Sequence, residues 1–280
     1  MTDPIAARHT LAIEAARQAG THLRSLYADR GTLVIETKGR NDFVSRADRE
    51  AEALVKDLVA EAFPGDGFVG EETGAAGLAD AGTAWIVDPL DGTTNFLKGA
   101  GNWCVSIGLV HDGAIVSGVI YDPLRDEMFE GVAGRGTRLN GATVTVSAAR
   151  DPGEAVVGLG FVPRVGAARF AADAEALLST GLGFRQIGAG ALMLAYVSAG
   201  RVDAYFERHM WPWDATAGLA LVSAAGGTVS AYPTGAATLA GGGVLAAPPA
   251  LYPTLKAALG GDTEPWTVPY EPLAPAVAKS

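Results

Sequence analysis

The chain has 280 residues, of which 31 are acidic and 21 are basic, so its formal net charge is −10. This balance argues against a nucleic-acid binder and against an anionic membrane surface as partner, because both require a basic face on the protein. Hydrophobic residues make up 49% and charged residues 19%, which argues against disorder and predicts a buried core. With one cysteine, Cys104, and neither a signal-peptide pattern nor a membrane-spanning apolar run, we expect a cytoplasmic protein without internal disulfides.

The N-terminal part of the sequence predicts a mixture of helices and antiparallel strands. Apolar residues recur at helical spacing over 4–28 and 46–62. Runs rich in β-formers, separated by turn signals, predict a meander with strands at 103–111, 114–122 and 126–132. Further short strands are predicted at 32–38, 67–70 and 84–88, and a hairpin across 137–147.

The C-terminal part alternates strands with helices, which predicts a layered α/β core. The predicted strands are 155–160, 183–187, 202–207, 227–231 and 242–247. The predicted helices are 166–180, 189–199, 213–225 and 249–259. We therefore predict one unit over 1–280, made of an N-terminal α+β half at 1–150, a C-terminal α/β half at 151–262 and a surface tail at 263–280.

The most informative segment begins at Trp85 and reads WIVDPLDGTTNF. Pro89 cannot donate to a strand ladder, so we expect the preceding strand to end near Asp88. Asp91 follows three residues later, and carboxylate, carbonyl and water oxygens are the ligands that Mg²⁺ prefers. The segment therefore predicts a magnesium site, to which the Leu90 carbonyl can contribute a further ligand.

The same segment also offers a place for an anion. Gly92 permits a sharp turn, and Thr93 or Thr94 can cap a short helix at 94–98. The backbone N–H groups of Gly92 and Thr93 would then point outward from the helix start, where an anion binds readily. The segment thus favours a phosphate held beside a divalent cation, whereas a lone Asp-Gly dipeptide would indicate only a turn.

Three further acidic positions are candidates for the same site. Glu71 belongs to a Glu-Glu pair that follows a predicted strand, although such pairs also form solvated faces. Asp214 lies in the first turn of a predicted helix beginning near Pro212, where it can complement the helix dipole or bind a metal. Asp48 stands three residues after Ser45, the spacing of a capping box at the start of the second predicted helix.

These strings resemble those of the inositol monophosphatase family, whose members are Mg²⁺-dependent, lithium-sensitive phosphomonoesterases. The resemblance rests on GEET at Gly70, WIVDPLDGTTNF at Trp85 and WDATAG at Trp213, and it spans roughly residues 5–260. It implies an α/β (α+β) fold, a layered αβαβα sandwich of the inositol monophosphatase and fructose-1,6-bisphosphatase type. It also implies two or three Mg²⁺ ions per site, a small phosphate monoester as substrate, and a homodimer.

The resemblance further implies a role for each matching residue. The implied metal ligands are Glu71, Asp88, the Leu90 carbonyl, Asp91 and Asp214. Gly92 and Thr93 bind the phosphate through backbone N–H groups, while Glu71 and Thr93, with Asp48 behind Thr93, orient and activate the attacking water. The implied substrate-binding residues are Glu207, Gly188, Ala189, Gly190 and Lys38.

The identity of the substrate stays open at this point. Thr94–Phe96 resembles the inositol monophosphatase branch, and Glu207 favours a polyol because a carboxylate accepts hydrogen bonds from hydroxyl groups. Trp211 departs from the His or Lys of many members and can reshape the leaving-group pocket, which Gly190 can in turn widen. The alternatives are a histidinol-phosphate or other sugar or nucleotide phosphatase on the same fold, and a protein that binds the transcription machinery, as some bacterial relatives do.

Overall fold

The computed structural model of the chain describes residues 3–33, 35–39, 42–76, 82–233 and 239–260. The α-helices in these ranges are α1 (Pro4–Ala28), α2 (Arg46–Ala62), α3 (Thr93–Lys98), α4 (Ala167–Leu178), α5 (Gly190–Ser198), α6 (Pro212–Ala224) and α7 (Tyr252–Ala258). The predicted bounds of α1 and α2 are confirmed, because apolar spacing agrees there with side-chain caps from Asp3 and Ser45. None of the described helices has both the length and the apolar character needed to cross a membrane.

The described strands form a hairpin and two larger sheets. The hairpin pairs β1 (Ile35–Gly39) with β2 (Asp42–Ser45). The larger sheet has the order β10-β9-β8-β7-β6-β5-β3-β4 and contains β3 (Gly67–Gly70), β4 (Gly74–Ala76), β5 (Thr83–Asp91), β6 (Cys104–His111), β7 (Ala114–Asp122), β8 (Glu127–Val132), β9 (Gly136–Leu139) and β10 (Ala142–Val144). The smaller sheet has the order β12-β11-β13-β15-β14 and contains β11 (Val156–Leu159), β12 (Gly183–Arg185), β13 (Ala204–Met210), β14 (Thr228–Val229) and β15 (Gly242–Ala247).

The helices and the two larger sheets stack in five layers. α1 and α2 cover one face of the eight-stranded sheet, and α5 and α6 cover its other face. α5 and α6 also pack against the five-stranded sheet, whose far face is covered by α4 and α7. The predicted αβαβα order is therefore confirmed, and α5 and α6 form a middle layer that contacts both sheets.

A row of glycines allows α6 to lie unusually close to the eight-stranded sheet. Gly108, Gly118 and Gly131 are neighbours across β6, β7 and β8. A Cβ on Gly118 would collide with the carbonyl oxygen of Ala217 in α6, and Gly108 is also tight against the same helix. The absence of side chains in this row fixes the depth of α6, and with it the position of Asp214 in the first helical turn.

The expectation that the strand ends near Asp88 is wrong, because β5 continues to Asp91. β5 pairs with β3 only as far as Val87, and its register with β6 is irregular between Asp88 and Asp91. Pro89 therefore lies where one neighbour is missing and the other ladder is interrupted, a setting in which a strand accepts a residue without an N–H donor. The extension keeps both aspartates on a strand.

Two other differences concern short elements. The strand predicted at 32–38 begins only at Ile35, because Arg30–Thr32 forms a 3-10 turn. β2 and β4 were not predicted, since each is at most four residues long and β4 consists only of glycine and alanine. The predicted tail at 263–280 lies outside the described residues.

We expect Gly118→Ala to lower the free energy of unfolding by roughly 1–3 kcal/mol, because the added methyl group meets helix backbone rather than a side chain that can rotate away. Gly65→Ala is the matched control, since a Cβ at that turn meets nothing within 4 Å. Urea unfolding of the two variants measures the difference. Equal stability of Gly118→Ala and Gly65→Ala would contradict the close packing of α6.

Candidate metal centre and adjoining pocket

β6 brings two distant acidic segments together. Ser106 pairs with Asp88 in the β5–β6 ladder, and its Oγ donates a hydrogen bond to the Trp213 carbonyl (3.0 Å). The Trp211 N–H donates to Asp214 Oδ2 (3.4 Å), which caps the start of α6. Asp214 therefore caps its own helix and also faces Asp88.

Asp91 is held by backbone groups at the start of α5. Its Oδ1 accepts the Gly190 N–H (3.2 Å) and its Oδ2 accepts the Leu192 N–H (3.3 Å). The buried thiol of Cys104 donates to Asp91 Oδ2 at 3.6 Å. The carboxylate is thus oriented by donors from the middle helical layer, 99 residues or more along the chain.

Asp88, Asp91 and Asp214 form a cluster in which one carboxylate oxygen of each lies within 4.8 Å of the others. Burial raises the pKa of Asp88 and of Asp214 well above the ordinary range, and the neighbouring acids raise both further. Burial also raises the pKa of Asp91 to about 6, although the N–H groups at the start of α5 lower it. Crowded acids of this kind fit a hard divalent cation, because oxygen is the donor that Mg²⁺ prefers.

Glu71 approaches the cluster from the turn after β3. Its N–H donates to the Val87 carbonyl (3.2 Å), so the β3–β5 pairing continues into this turn. The charge of Glu71 raises the pKa of both Asp88 and Asp214, which shows that its carboxylate lies near them. Glu71 is thereby the fourth acid of the region.

Thr93 connects Asp48 with the segment that follows β5. Its Oγ1 can donate to Asp48 Oδ1 (3.0 Å) or to the Leu90 carbonyl (3.1 Å). Asp48 Oδ2 accepts the Ser45 N–H (2.8 Å), which completes a capping box at the start of α2. Asp48 thus both caps α2 and accepts a hydrogen bond from Thr93.

The turn at Gly92 is packed against the loop that precedes α5. Gly92 has φ of 89°, and a Cβ there would lie 2.7 Å from the Asn102 carbonyl oxygen and 3.2 Å from the Ala189 Cβ. The Asn95 side-chain nitrogen donates to the Ile187 carbonyl (2.7 Å) and to the Asn102 carbonyl (2.8 Å). Both the positive φ and the close neighbours require glycine at this position.

A pocket of about 180 Å³ lies beside the acidic cluster. Asp91 and Asp214 form one part of its wall, and Glu207 forms another. The remaining residues that line it are Leu159, Gly160, Phe161, Gln186, Ile187, Gly188, Ala189, Gly190, Met193, Tyr205 and Met210. The pocket therefore joins two of the implied metal ligands, Asp91 and Asp214, to every implied substrate-binding residue except Lys38, whose side chain lies outside the described part of the structure.

Glu207 is an acid whose carboxylate is enclosed by close neighbours. Tyr205 Oη donates to Glu207 Oε2 (2.6 Å), and a Cβ on Gly160 would collide with the same oxygen. Burial raises the pKa of Glu207 to about 7, although the Tyr205 hydroxyl and the charge of Arg164 lower it. Glu207 can therefore change its protonation state near neutral pH.

Trp211 lies in a stack of side chains outside the pocket wall. Its ring stacks on Trp213 with centroids 5.4 Å apart, and the Arg164 guanidinium lies over it at 3.9 Å. His209 meets the same ring edge-on and contacts the Ala240 carbonyl through Nε2 (2.8 Å). Trp211 is not among the described residues that line the pocket, so its effect on the pocket must pass through neighbours.

Sequence inspection missed two residues that border the site. Glu52 is fully buried, and it follows Asp48 by one turn of α2. The available signal was an acid within the apolar stripe of a helix, which a solvated face does not explain. Tyr205 precedes Glu207 by two residues in β13, and alternation along a strand would have placed both side chains on one face.

Comparison with known proteins identifies the family of the chain. The sequence model of the inositol monophosphatase family matches residues 7–263. The chain belongs to the inositol monophosphatase family. Some of its relatives are named inositol-1-monophosphatase and others are named Nus factor SuhB.

An inositol-1-monophosphatase from Mesorhizobium japonicum is 40% identical over 237 residues, which cover 84% of this chain and 89% of that protein. The Nus factor SuhB of Escherichia coli K12 is 37% identical over 241 residues, which cover 85% of this chain and 90% of that protein. The crystal structure of the extragenic suppressor protein suhB from Bartonella henselae superposes with a TM-score of 0.84 at 35% identity, covering 91% of this chain and 99% of that one.

For this member of the inositol monophosphatase family, we expect Asp88→Asn to stabilise the metal-free protein by about 1–2 kcal/mol, because it removes one charge from a crowded acidic cluster. We expect Mg²⁺ to stabilise the wild type against thermal unfolding, and the same variant should lose that stabilisation. Thermal unfolding in EDTA and in MgCl₂ measures both effects. Asp57→Asn, on the exposed face of α2, is the control. Undiminished stabilisation of Asp88→Asn by Mg²⁺ would contradict the metal centre.

Proposed function

We propose that the protein is a Mg²⁺-dependent phosphomonoesterase that hydrolyses a small polyol phosphate such as myo-inositol 1-phosphate. The observation that carries the proposal is the cluster of Asp88, Asp91 and Asp214 at one wall of a pocket that also contains Glu207. Membership of the inositol monophosphatase family and the similarity to the inositol-1-monophosphatase of Mesorhizobium japonicum support it.

In this proposal the acidic cluster binds the metal. The proposed ligands are Glu71, Asp88, the Leu90 carbonyl, Asp91 and Asp214. All are oxygen donors, and the burial of several carboxylates is costly unless a cation compensates their charge. Bound Mg²⁺ would neutralise the phosphate, acidify the attacking water and stabilise the leaving alkoxide.

Thr93 and Asp48 would orient the attacking water and receive its proton. When Thr93 Oγ1 donates to Asp48 Oδ1, its lone pairs remain to accept a hydrogen bond from a water. A proton lost by that water can then pass to Thr93 Oγ1 while the threonine proton passes to Asp48 Oδ1. Glu71, in the turn after β3, would orient the same water.

The phosphate would bind at the backbone N–H groups of Gly92 and Thr93. The first N–H groups of a helix lack intrahelical partners, and Gly92 occupies the cap position of α3. No side chain on Gly92 stands between these groups and an incoming anion.

The leaving group would occupy the pocket lined by Gly188, Ala189 and Gly190. A Cβ on Gly190 would lie 2.8 Å from Met210 Cε and 3.1 Å from Tyr205 Oη, so the glycine leaves room among the residues that line the pocket. In its charged form Glu207 can accept hydrogen bonds from the hydroxyl groups of a polyol. Lys38 is proposed as a further substrate contact on the strength of the family resemblance.

A panel of phosphate monoesters tests the proposal most directly. The panel contains myo-inositol 1-phosphate, glycerol 2-phosphate, fructose 1,6-bisphosphate, histidinol phosphate and a nucleotide phosphate, each assayed with Mg²⁺ and with EDTA and ranked by kcat/KM. We expect Mg²⁺-dependent hydrolysis, inhibited by Li⁺, with inositol phosphate first. A histidinol or nucleotide phosphate in first place would favour the alternative phosphatases, and the absence of Mg²⁺-dependent turnover on every ester would refute the proposal. Asp88→Asn serves as the inactive control.

A role in transcription is the second candidate function, because several relatives at 37–38% identity are named Nus factor SuhB. Such a role would require contact with transcription factors and is compatible with phosphatase activity. Pull-down of the tagged protein from cell extract, followed by detection of RNA polymerase and Nus factors, tests it. Equal recovery with wild type and with an unrelated acidic protein of similar size would count against it.

Light scattering of the same preparation tests the homodimer that the family resemblance implies.

We expect Glu207→Gln to lower kcat/KM for inositol phosphate roughly tenfold at pH 8, because it replaces a charged hydrogen-bond acceptor by a neutral amide. The difference should shrink below pH 7, since the pKa of Glu207 is raised to about 7 and the wild-type side chain then becomes neutral as well. Substrate ionisation is common to both proteins and cancels in the ratio. A ratio that does not change between pH 6 and 8 would contradict the role of the carboxylate.

The raised pKa of Glu207 also has a consequence for stability. Its folded pKa of about 7 lies above the ordinary value of 4.5, so its favourable contribution is complete below about pH 4.5 and is lost as the pH rises through 7. Glu207→Gln should therefore raise the free energy of unfolding at pH 8 by up to about 3 kcal/mol, measured in EDTA. A loss of stability at that pH would show that the carboxylate is stabilised by contacts that outweigh its burial.

A further inference from the structure

The carboxylate of Glu52 lies directly beneath the turn that carries Glu71. Glu52 is 0% exposed, and its Oε2 and Oε1 accept the N–H groups of Glu72 and Thr73, both at 2.8 Å. Gly70 packs so closely on the carboxyl group that a Cβ there would collide with it. Because successive N–H groups donate to the two oxygens of one planar carboxylate, both the position and the orientation of the turn are fixed.

The other side of the same turn is fixed by β5. The Glu71 N–H donates to the Val87 carbonyl (3.2 Å), and the next N–H along the chain, from Glu72, donates to Glu52. The peptide groups on both sides of the Glu71 Cα are therefore bonded to different elements. As a result, the direction in which the Glu71 side chain leaves the backbone is set jointly by β5 and α2.

α2 thereby contacts Thr93 and the turn that carries Glu71, the two residues that we propose to orient the attacking water. Asp48 and Glu52 are four residues apart and lie on the same buried face of the helix. Asp48 accepts from Thr93, and Glu52 holds the turn of Glu71. A regular helix fixes the spacing of its own residues, so α2 also relates the positions of Thr93 and Glu71 to each other.

We propose that Glu52 is a positioning residue, whose carboxylate holds the Glu71 turn where Glu71 can bind Mg²⁺. The inference rests on the proposed Mg²⁺-dependent function. Burial of a carboxylate is costly, and an apolar side chain would fill the same space in the core without that cost. The charge at position 52 is thus explained by the two N–H groups that it orients beside the acidic cluster.

Glu52→Gln is the first test, because it keeps the shape of the side chain but replaces one acceptor oxygen by an amide group. We expect the dissociation constant for Mg²⁺, measured by calorimetry without substrate, to rise roughly tenfold or more. The Mg²⁺ concentration for half-maximal hydrolysis should rise by the same factor. Glu61→Gln, an identical change on the exposed side of α2, is the matched control and should alter neither.

A double substitution distinguishes positioning from general stabilisation. If Glu52 acts through Glu71, adding Glu52→Gln to Glu71→Gln should weaken Mg²⁺ binding no further than Glu71→Gln alone. Glu52→Asp, which keeps the charge but withdraws the oxygens by one methylene, should weaken Mg²⁺ binding as Glu52→Gln does. Thermal unfolding in EDTA establishes that each variant is folded.

The outcomes separate this inference from the function on which it rests. An unchanged Mg²⁺ affinity in folded Glu52→Gln, or additive losses in the double variant, would overturn the positioning role while wild-type activity stands. A wild-type protein that neither binds Mg²⁺ nor hydrolyses any ester of the panel would overturn the proposed function instead.

Discussion

The constraint on which the site depends is the repulsion between carboxylates held close together. One oxygen from each of Asp88, Asp91 and Asp214 lies within 4.8 Å of the others, and burial raises the pKa of all three groups. Such a cluster opposes folding of the metal-free chain, so other interactions must hold it. The N–H groups of α5 orient Asp91, and Ser106 ties the start of α6 to the β5–β6 ladder. Packing in the surrounding layers offsets the destabilisation that the crowded carboxylates cause.

Those layers explain why acids from distant parts of the chain can meet accurately. Asp88 and Asp91 lie on a strand, while Asp214 lies in the first turn of a helix. Rigid elements carry these groups, and the glycine row at Gly108 and Gly118 sets the depth at which α6 crosses the sheet. The middle layer of α5 and α6 therefore does two things at once. It forms part of the core with both sheets, and the N-terminal ends of both its helices lie at the same acidic cluster.

What could be predicted from the sequence follows from how local each signal is. The long helices and the meander were predictable, because periodicity and turn residues lie within each segment. The layer order, in contrast, was implied only by the resemblance of three short strings to the inositol monophosphatase family. The continuation of β5 beyond Asp88 was not predictable, since the strand can accept Pro89 only because its pairing with β3 ends at Val87. Asp88 and Asp91 stand out within one short string, whereas Asp214 alone is an ordinary helix-capping acid. The role of Glu52 was not predictable, because the N–H groups that donate to it lie 20 and 21 residues further along the chain.

The net charge of −10 acquires a more specific meaning at this site. Two of the three clustered aspartates, Asp91 and Asp214, line the pocket, so under the proposed function a phosphate monoester would meet a repulsive field in the metal-free protein. Under the proposed function, divalent cations would neutralise or reverse that field locally and so favour binding of the anion. The remaining surface keeps its acidity and so still disfavours long polyanions. Under the same proposal Glu207, which also lines the pocket, would have a distinct role, since a carboxylate there would favour the hydroxyl groups of the leaving alcohol over a second phosphate.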